Sequence, residues 1–495
     1  MEANLRELLS NELRRRHGFG MMEGKIKPVH VANALMRTEH EQVGRMRDIG
    51  YLMTATAQRE SHEERLQAVA RMLEANRERW GRLGEEDDLR RSVLATRVLP
   101  LLRTILATDN ATFGKSPEFS SFSSPTALTT TRDASDDHVG EFVHRLWGGR
   151  EDGRRLPLLN LLRDLTDPRK DLGSVDDLTA VLAPLSDDMR VYNPPSRDFP
   201  EADGHLRSVI CEALRDAARD LHAFEMALRP NPIASLQRIV LLGALSVFFF
   251  TATRHHERTN LPRRVLFVDN SPSRDTAIAE ASERSVTQLF DDARGYMAAI
   301  VSEALDAERS DWEVDAEATV AAVLGREKSD SGERRGRLTE LLEELTEAGA
   351  DIRSELPRRL VELLDGSGGR TLDGYLRLLG IRCGLLYPQQ KNPLKRLAPM
   401  DRTLEVLVAG TFELSGRPLE YRDFLDKLYD RWRIVVGGRL EDAEILARDG
   451  MGVGAGDLAE NSERFLQRLQ GLGLARKLAD SVAVVGMTES AHADA

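Results

Sequence analysis

The stretch Ile239–Thr253, with the sequence IVLLGALSVFFFTAT, is the longest apolar run of the chain and sets the centre of the fold. It is shorter than the ~20 residues that a helix needs to cross a bilayer, and no second span follows it. The N-terminal residues MEANLRELLSNELRRRHG are charged and lack the apolar core of a signal peptide. We therefore expect a buried core helix in a soluble, cytoplasmic protein that makes no membrane contact.

The composition around this run is typical of a folded, mainly helical chain. Of the 495 residues, 41% are hydrophobic and 30% are charged, which supplies enough apolar material for packed cores. Aromatic residues make up only 5%, whereas straight-chain residues that lose little rotamer freedom in a helix are abundant. The two cysteines, Cys211 and Cys383, lie in no metal-binding or nucleophile motif, so we expect buried thiols, no metal and no cofactor.

Breaks in the helical pattern divide the chain into a multidomain helical protein with a short α/β element in its centre. At about 150 residues per domain, the length corresponds to about three domains. The predicted units are an N-terminal helical domain (1–110), a Ser/Thr-rich linker (111–137), a central mostly helical domain (138–375) with a strand near 265–268, and a winged-helix-like domain (376–495). Within the linker, Phe113, Phe119 and Phe122 indicate that part of it docks on a neighbour.

The C-terminal unit carries the most specific architectural pattern, that of a winged helix-turn-helix domain. The predicted order is a helix over Leu404–Thr411, a helix over Leu419–Trp432, a short strand over Ile434–Val436, a helix over Leu458–Leu472, and a hairpin of Leu474–Leu478 with Val482–Val485. In this order, the helix over Leu458–Leu472 takes the place of the recognition helix.

The predicted recognition helix supplies the candidate contact residues. Arg464, Gln467 and Arg468 are expected to face outward, and Arg476 and Lys477 on the hairpin could support them at a phosphate backbone. Acidic residues outnumber basic residues from Lys391 onward, and the whole chain has a formal charge of −12, which disfavours an extended nucleic-acid surface. Duplex DNA and a partner protein therefore remain equal alternatives as the ligand of this domain.

A second candidate site follows the predicted central strand. Asp269 stands at the end of an apolar run of strand length, and Asp275, His255 and His256 are close in sequence. Carboxylates with imidazoles suit a divalent metal, so these residues indicate a metal-dependent hydrolase or nuclease as an alternative function. The same residues also fit a turn that caps the following helix and a histidine pair that ends the apolar helix.

Two segments together resemble a known group of bacterial proteins. They are PRRVLFVDNSPSRDTAIAEASERSV (262–286), which follows the apolar helix, and ERFLQRLQGLGLARKLADSVAVVG (463–486). The chain resembles accessory components of multigene phage-defence systems of the methylation-associated or phosphorothioation-dependent type. The resemblance implies a non-enzymatic role beside other protein subunits, including a HerA- or FtsK-like ATPase of the same locus, and it transfers no functional residue.

The function expected from the sequence is therefore that of a helical scaffold or adaptor in a DNA-targeting complex. Its C-terminal winged helix would contact DNA or a partner subunit. The metal-dependent hydrolase or nuclease using Asp269 and Asp275 is one alternative, and a transcriptional regulator is the other.

Overall fold

The structure is a computed structural model that describes fourteen stretches of the chain and a few isolated positions between 63 and 93. The stretches are 11–16, 18–20, 26–44, 97–107, 120–149, 155–170, 189–193, 206–228, 231–324, 331–365, 374–389, 394–412, 418–478 and 482–486. Most of the predicted N-terminal domain lies outside the described residues, as do Phe113 and Phe119 of the predicted linker.

The described chain is mainly helical, as the composition predicts. In chain order the helices are α1 (Pro28–His40), α2 (Leu99–Thr104), α3 (Val139–Leu146), α4 (Pro157–Thr166), α5 (Val209–Leu228), α6 (Pro232–Thr259), α7 (Ala277–Glu308), α8 (Ala316–Leu324), α9 (Ser331–Glu347), α10 (Ile352–Asp365), α11 (Gly374–Arg382), α12 (Asp401–Ala409), α13 (Tyr421–Trp432), α14 (Asp442–Arg448) and α15 (Ala455–Gly471). The strands are β1 (Gln42–Val43), β2 (Arg190–Val191), β3 (Leu266–Phe267), β4 (Leu386–Tyr387), β5 (Arg396–Leu397), β6 (Leu419–Glu420), β7 (Ile434–Val435), β8 (Ala475–Lys477) and β9 (Ala483–Val485).

The apolar run forms α6, the helix around which the others pack. The Asn231 side chain accepts a hydrogen bond from the Ile233 amide at the start of α6, and Asn260 ends the helix in the left-handed conformation at φ 53°. Within the described residues it packs against α1, α3, α4, α5, α7, α11 and α12. By length and composition α6 could cross a membrane, yet 78% of its most apolar 18-residue window is buried within the protein. This burial agrees with the core helix expected in a soluble protein.

Helices α1 and α3 cross closely at a glycine. A Cβ built on Gly140 would lie 2.3 Å from the backbone of Ala34 and Leu35, so any side chain here would collide with α1. The absent side chain lets the two backbones touch, and α1 is thereby buried between α3 and the rest of the core.

Two small sheets organise the centre and the C-terminal region. In the central sheet, β3 pairs with β7 in parallel and β5 pairs with β4 in antiparallel, while a parallel bridge from Val268 to Leu397 joins the two pairs. The C-terminal sheet is antiparallel and has the strand order β6, β9, β8. The strand expected at Ile434–Val436 is present as β7, and it pairs with β3 rather than with the hairpin. Val435 joins the apolar cluster around Val265 and Phe267, and Ile434 packs in the main core with Leu266.

One apolar cluster runs through most of the described chain, from Leu13 to Val485. The described part of the Ser/Thr-rich segment (120–137) is buried in this body as irregular chain with two short 3-10 turns. Phe122 within it is fully buried. The domain boundaries expected at residues 110, 137 and 375 remain predictions.

Candidate functional site

The outward face of α15 is the place where the sequence puts the contact residues. The apolar side chains Leu458, Phe465 and Leu469 are buried at helical spacing, which fixes the opposite side of the helix toward solvent. We call this side, formed by Asp457, Glu460, Glu463, Arg464 and Gln467, the outward face of α15.

The charged groups of the outward face are paired among themselves. The Arg464 guanidinium forms an ion pair with Glu460 one turn earlier. Gln467 Nε2 donates to Glu463 Oε1 at 3.3 Å. Lys477 Nζ, on β8, donates to the same oxygen at 2.9 Å, and this hydrogen bond lowers the pKa of Glu463. Three carboxylates face two cations here, so the outward face carries a small excess of negative charge.

Arg468 has a different position from the other candidate contact residues. Its guanidinium donates to Asp401 Oδ1 at 2.7 and 3.0 Å and to the carbonyl oxygen of Pro399 at 2.5 Å. These bonds connect α15 to the first turn of α12. The structure therefore gives Arg468 a role in joining two helices, whereas Arg476 lies exposed on β8.

A buried asparagine fixes the other side of α15 to the central sheet. Asn461 is fully buried, and its Nδ2 donates to the carbonyl oxygens of Val268 at 2.8 Å and Val436 at 2.7 Å. Its Oδ1 accepts from the Asn270 amide at 2.9 Å. The ends of β3 and β7 have no further strand residue to satisfy these groups, so α15 completes their hydrogen bonding.

Asp269 lies at the carboxyl end of β3, as predicted, and its oxygens are engaged by the protein. Oδ1 accepts hydrogen bonds from the Ser271 amide at 2.8 Å and from the Ser271 hydroxyl, and Oδ2 is ion-paired with the buried Arg396. Asp275 is exposed in the following turn. The N-cap of α7 is Thr276, whose hydroxyl accepts from the Ala279 amide at 3.1 Å. The hydrogen bonds of this segment are therefore those of a turn that leads into a capped helix.

The histidines lie near the end of α6, and His256 shares a partner with Arg264, which precedes β3. His256 Nε2 is 2.7 Å from Asp292 Oδ2, and Arg264 binds the same carboxylate through two nitrogens. Although burial opposes it, the hydrogen bonds from His256 and Arg264 lower the pKa of Asp292. The five residue steps from Arg264 to Asp269 span roughly 16 Å as extended chain, so the histidine pair and Asp269 do not form one site. Among the described residues, no group of three His, Cys, Asp or Glu side chains is placed to hold a metal ion.

A buried ionic cluster around α1 is absent from the sequence-based predictions. Arg37 is 2% exposed, and its Nη2 lies 2.6 Å from Asp136 Oδ2 and 3.1 Å from Glu141 Oε1. Its guanidinium also stacks on the Tyr192 ring at 4.7 Å, and the Tyr192 hydroxyl donates to Glu141. We call Arg37, Asp136, Glu141 and Tyr192 the Arg37 cluster.

The Arg37 cluster places two carboxylates against one guanidinium in a buried site. Burial, together with the nearby Glu141 carboxylate, raises the pKa of Asp136 to about 7 against the attraction of Arg37. Burial also acts on Glu141, but Arg37, His138 and the Tyr192 hydroxyl lower its pKa. Asp136 is therefore the carboxyl of this pair that takes up a proton first as the pH falls.

A second buried carboxylate, Glu39, is satisfied in a comparable way at the end of α1. His144 Nε2 is 3.1 Å and Arg163 Nε 2.7 Å from its carboxylate, and Arg155 also binds it. The only sign of these pairs in the sequence is that α1 has polar residues on every face, since the partners are distant along the chain.

Comparison with protein-family models, with curated proteins and with solved structures gives no match for this chain.

Proposed function

We propose that this protein is a non-enzymatic, cytoplasmic adaptor whose C-terminal region is a winged-helix-like unit that contacts a partner protein. Three features support the winged-helix assignment. The helices α12, α13 and α15 follow one another with β6 between the first two, a hairpin follows α15, and the sheet has the order β6, β9, β8. The strand β7 and helix α14 are then an insertion before the recognition helix, α15.

The charges on the outward face of α15 favour a protein partner over DNA. Its two cations, Arg464 and Lys477, already bind Glu460 and Glu463, and Asp457 adds a further negative charge. A DNA backbone would have to approach this negative excess and release the paired cations, whereas nucleic-acid affinity depends on cations that neutralise phosphates. A partner protein with complementary charges can bind the same face while the Arg464–Glu460 and Lys477–Glu463 pairs stay intact.

The resemblance to phage-defence accessory proteins extends this proposal to a biological setting. In that setting the adaptor joins a DNA-targeting assembly through protein contacts, and other subunits, such as the ATPase of the locus, touch the DNA. The metal-dependent hydrolase has less support, because Asp269 is paired with Arg396 and His256 with Asp292, in two separate places. The other alternative, a transcriptional regulator, requires that α15 binds duplex DNA.

Co-purification with proteins encoded beside its gene tests the proposal. The variant with Glu460→Lys and Glu463→Lys reverses the charge of the outward face. We expect it to lose the partner that the unaltered protein retains. The matched control is Glu444→Lys on α14, an exposed acid of another i,i+4 ion pair, which we expect to keep the partner.

Fluorescence anisotropy with a labelled 30-bp duplex over a salt series supplies the opposing test. We expect no salt-dependent binding that responds to residues of α15. Binding that falls steeply with salt and is weakened by Arg464→Ala and Arg476→Ala, but not by the control Arg448→Ala, would instead assign this face to DNA.

A further inference from the structure

Residues 189–193 form a short strap beside the end of α1. Strand β2 within them pairs with β1 over two residues only. The Tyr192 amide adds one hydrogen bond, to the Glu41 carbonyl oxygen at 2.7 Å. We call residues 189–193 the Tyr192 strap. Two paired residues are fewer than an independently stable sheet needs, so the backbone alone holds the strap weakly.

The side chain of Tyr192 anchors the strap. Among residues 189–193 only Tyr192 is buried, at 7% exposed, whereas Val191 beside it is 73% exposed. The Tyr192 hydroxyl donates to Glu141. Two guanidinium groups approach its ring, that of Arg37 at 4.7 Å and that of Arg132 at 5.8 Å from the ring centre. The closed position of the strap therefore depends on the contacts of Tyr192 with the Arg37 cluster.

The charge of the Arg37 cluster changes with one proton. Asp136 Oδ2 and Glu141 Oε1 lie 2.6 and 3.1 Å from the same nitrogen, Nη2 of Arg37. Two ionised carboxylates beside one buried guanidinium leave a net negative charge, which burial makes costly. A proton on Asp136 removes this excess, in agreement with the raised pKa of about 7 for this residue. The cluster is thus neutral with the proton and negative without it.

Further titratable and charged groups surround Asp136 beyond the cluster. They come from residues 11–16, from α1 and from the segment before α3, and they are Arg14, His30, Arg132, Asp133, Asp137 and His138. Asp137 is ion-paired with Arg14. Burial lowers the pKa of His138, which is therefore neutral above pH 7. Arg132 is exposed, so solvent screens its charge. These groups do not cancel the negative charge that an ionised Asp136 creates.

We propose that the Tyr192 strap is a proton-controlled latch. With a proton on Asp136 the cluster is neutral, Tyr192 stays inserted and the strap is closed. When Asp136 ionises, the strap opens, because water then solvates the negative cluster. Opening makes the edge of β1 and the Arg37 side chain accessible. The latch does not depend on the partner contact proposed for α15, and either can fail without the other.

Hydrogen exchange of the Tyr192 amide, resolved to single residues by mass spectrometry of the full chain, measures the opening. We expect the protection factor of this amide to fall about tenfold from pH 6 to pH 8. The closed strap holds a proton with a pKa of about 7, and an exposed aspartate, with a pKa of about 4, releases it. The Leu266 amide, bonded to the Arg433 carbonyl oxygen in the central sheet, reports global unfolding and should stay more protected. Equal protection of the two amides, or constant protection of the Tyr192 amide over this pH range, overturns the proposal.

Two variants connect the opening to the cluster. Asp136→Asn cannot ionise, so it should abolish the pH dependence of exchange at Tyr192. Tyr192→Phe lacks the hydroxyl that donates to Glu141, so it should lower the protection of the amide of residue 192 at least about tenfold at pH 6. The control Tyr387→Phe alters an exposed tyrosine of β4 and should leave exchange at Tyr192 unchanged. Circular dichroism checks that each variant is folded. A pH dependence that persists in Asp136→Asn would assign the proton to another group and refute the latch.

Discussion

Helices α1 and α15 use charged residues in opposite ways. On the outward face of α15 the charged side chains bind each other in solvent, while apolar residues and Asn461 face the protein. In α1 every residue from Pro28 to Glu39 is buried, including Arg37 and Glu39. A charged residue therefore indicates the solvent-facing side of a helix only where the fold places no buried partner beside it.

The two arrangements also differ in what the loss of one partner costs. An exposed pair on α15 contributes about 0–1 kcal/mol, because water replaces either partner. The Arg37 cluster is buried, so the removal of one member leaves an uncompensated charge in the interior. The predictions below measure this difference, beginning with the largest expected effect.

Arg37→Ala should reduce the free energy of unfolding by about 3–5 kcal/mol, because it leaves Asp136 and Glu141 buried without their cation. Urea denaturation followed by circular dichroism measures the change. The control Arg448→Ala removes an exposed arginine that pairs with Glu444 and should shift the free energy by less than about 0.5 kcal/mol. A loss below about 1 kcal/mol for Arg37→Ala would show that the cluster is hydrated or rearranged in solution.

Asn461→Ala should cost about 1–3 kcal/mol, because it leaves the Val268 and Val436 carbonyls and the Asn270 amide without their hydrogen bonds. The same denaturation experiment measures the loss. Gln467→Ala, on the outward face of the same helix, serves as the control and should have almost no effect. Similar losses of unfolding free energy for the two variants would contradict the role of Asn461 in joining α15 to the central sheet.

The effect of Asp136→Asn should be smallest in mild acid and should change with pH. The raised pKa of about 7 means that Asp136 holds a proton when folded and loses it on unfolding between pH 4 and 7. Its contribution to stability is therefore present in full below pH 4 and is lost as the pH rises through about 7. The asparagine variant lacks this dependence, so its stability relative to the unaltered protein should rise from pH 5 to pH 8.

Urea denaturation at pH 5, 6, 7 and 8 measures this change. The difference between the two proteins cancels the contributions of His40 and His138, whose pKa values are lowered by burial and whose effect on stability has the opposite slope. A constant difference across this pH range would show that Asp136 titrates near its ordinary pKa.

The elements that the sequence predicts are those that depend on residues close together in the chain. The apolar run predicts α6, the spacing of Leu458, Phe465 and Leu469 predicts α15, and Thr276 marks the start of α7. Helical periodicity and capping residues act over a few positions, so one stretch of sequence is enough to recognise them.

The features that escaped prediction depend on partners far along the chain. The bond between Arg37 and Asp136 spans 99 residues, and that between Arg396 and Asp269 spans 127. Nothing near Ile434 in the sequence indicates that it pairs with Leu266 rather than with the C-terminal hairpin. Likewise, the hydrogen bonds of Asn461 join α15 to residues of the central sheet that lie up to 193 positions earlier, and no single segment contains this arrangement.

The clamp of Asn461 on Val268 also bears on how the protein is made. These residues are 193 positions apart. At a synthesis rate of about 5–20 residues per second, roughly 10–40 s pass between the translation of β3 and that of the helix that completes its hydrogen bonding. During this interval the apolar strand has α7, the next helix to leave the ribosome, as its neighbour, and the Ser285 hydroxyl of α7 accepts from the Phe267 amide at 3.3 Å. The early α7 thus shields a strand whose permanent partners are among the last parts of the described chain to be synthesised.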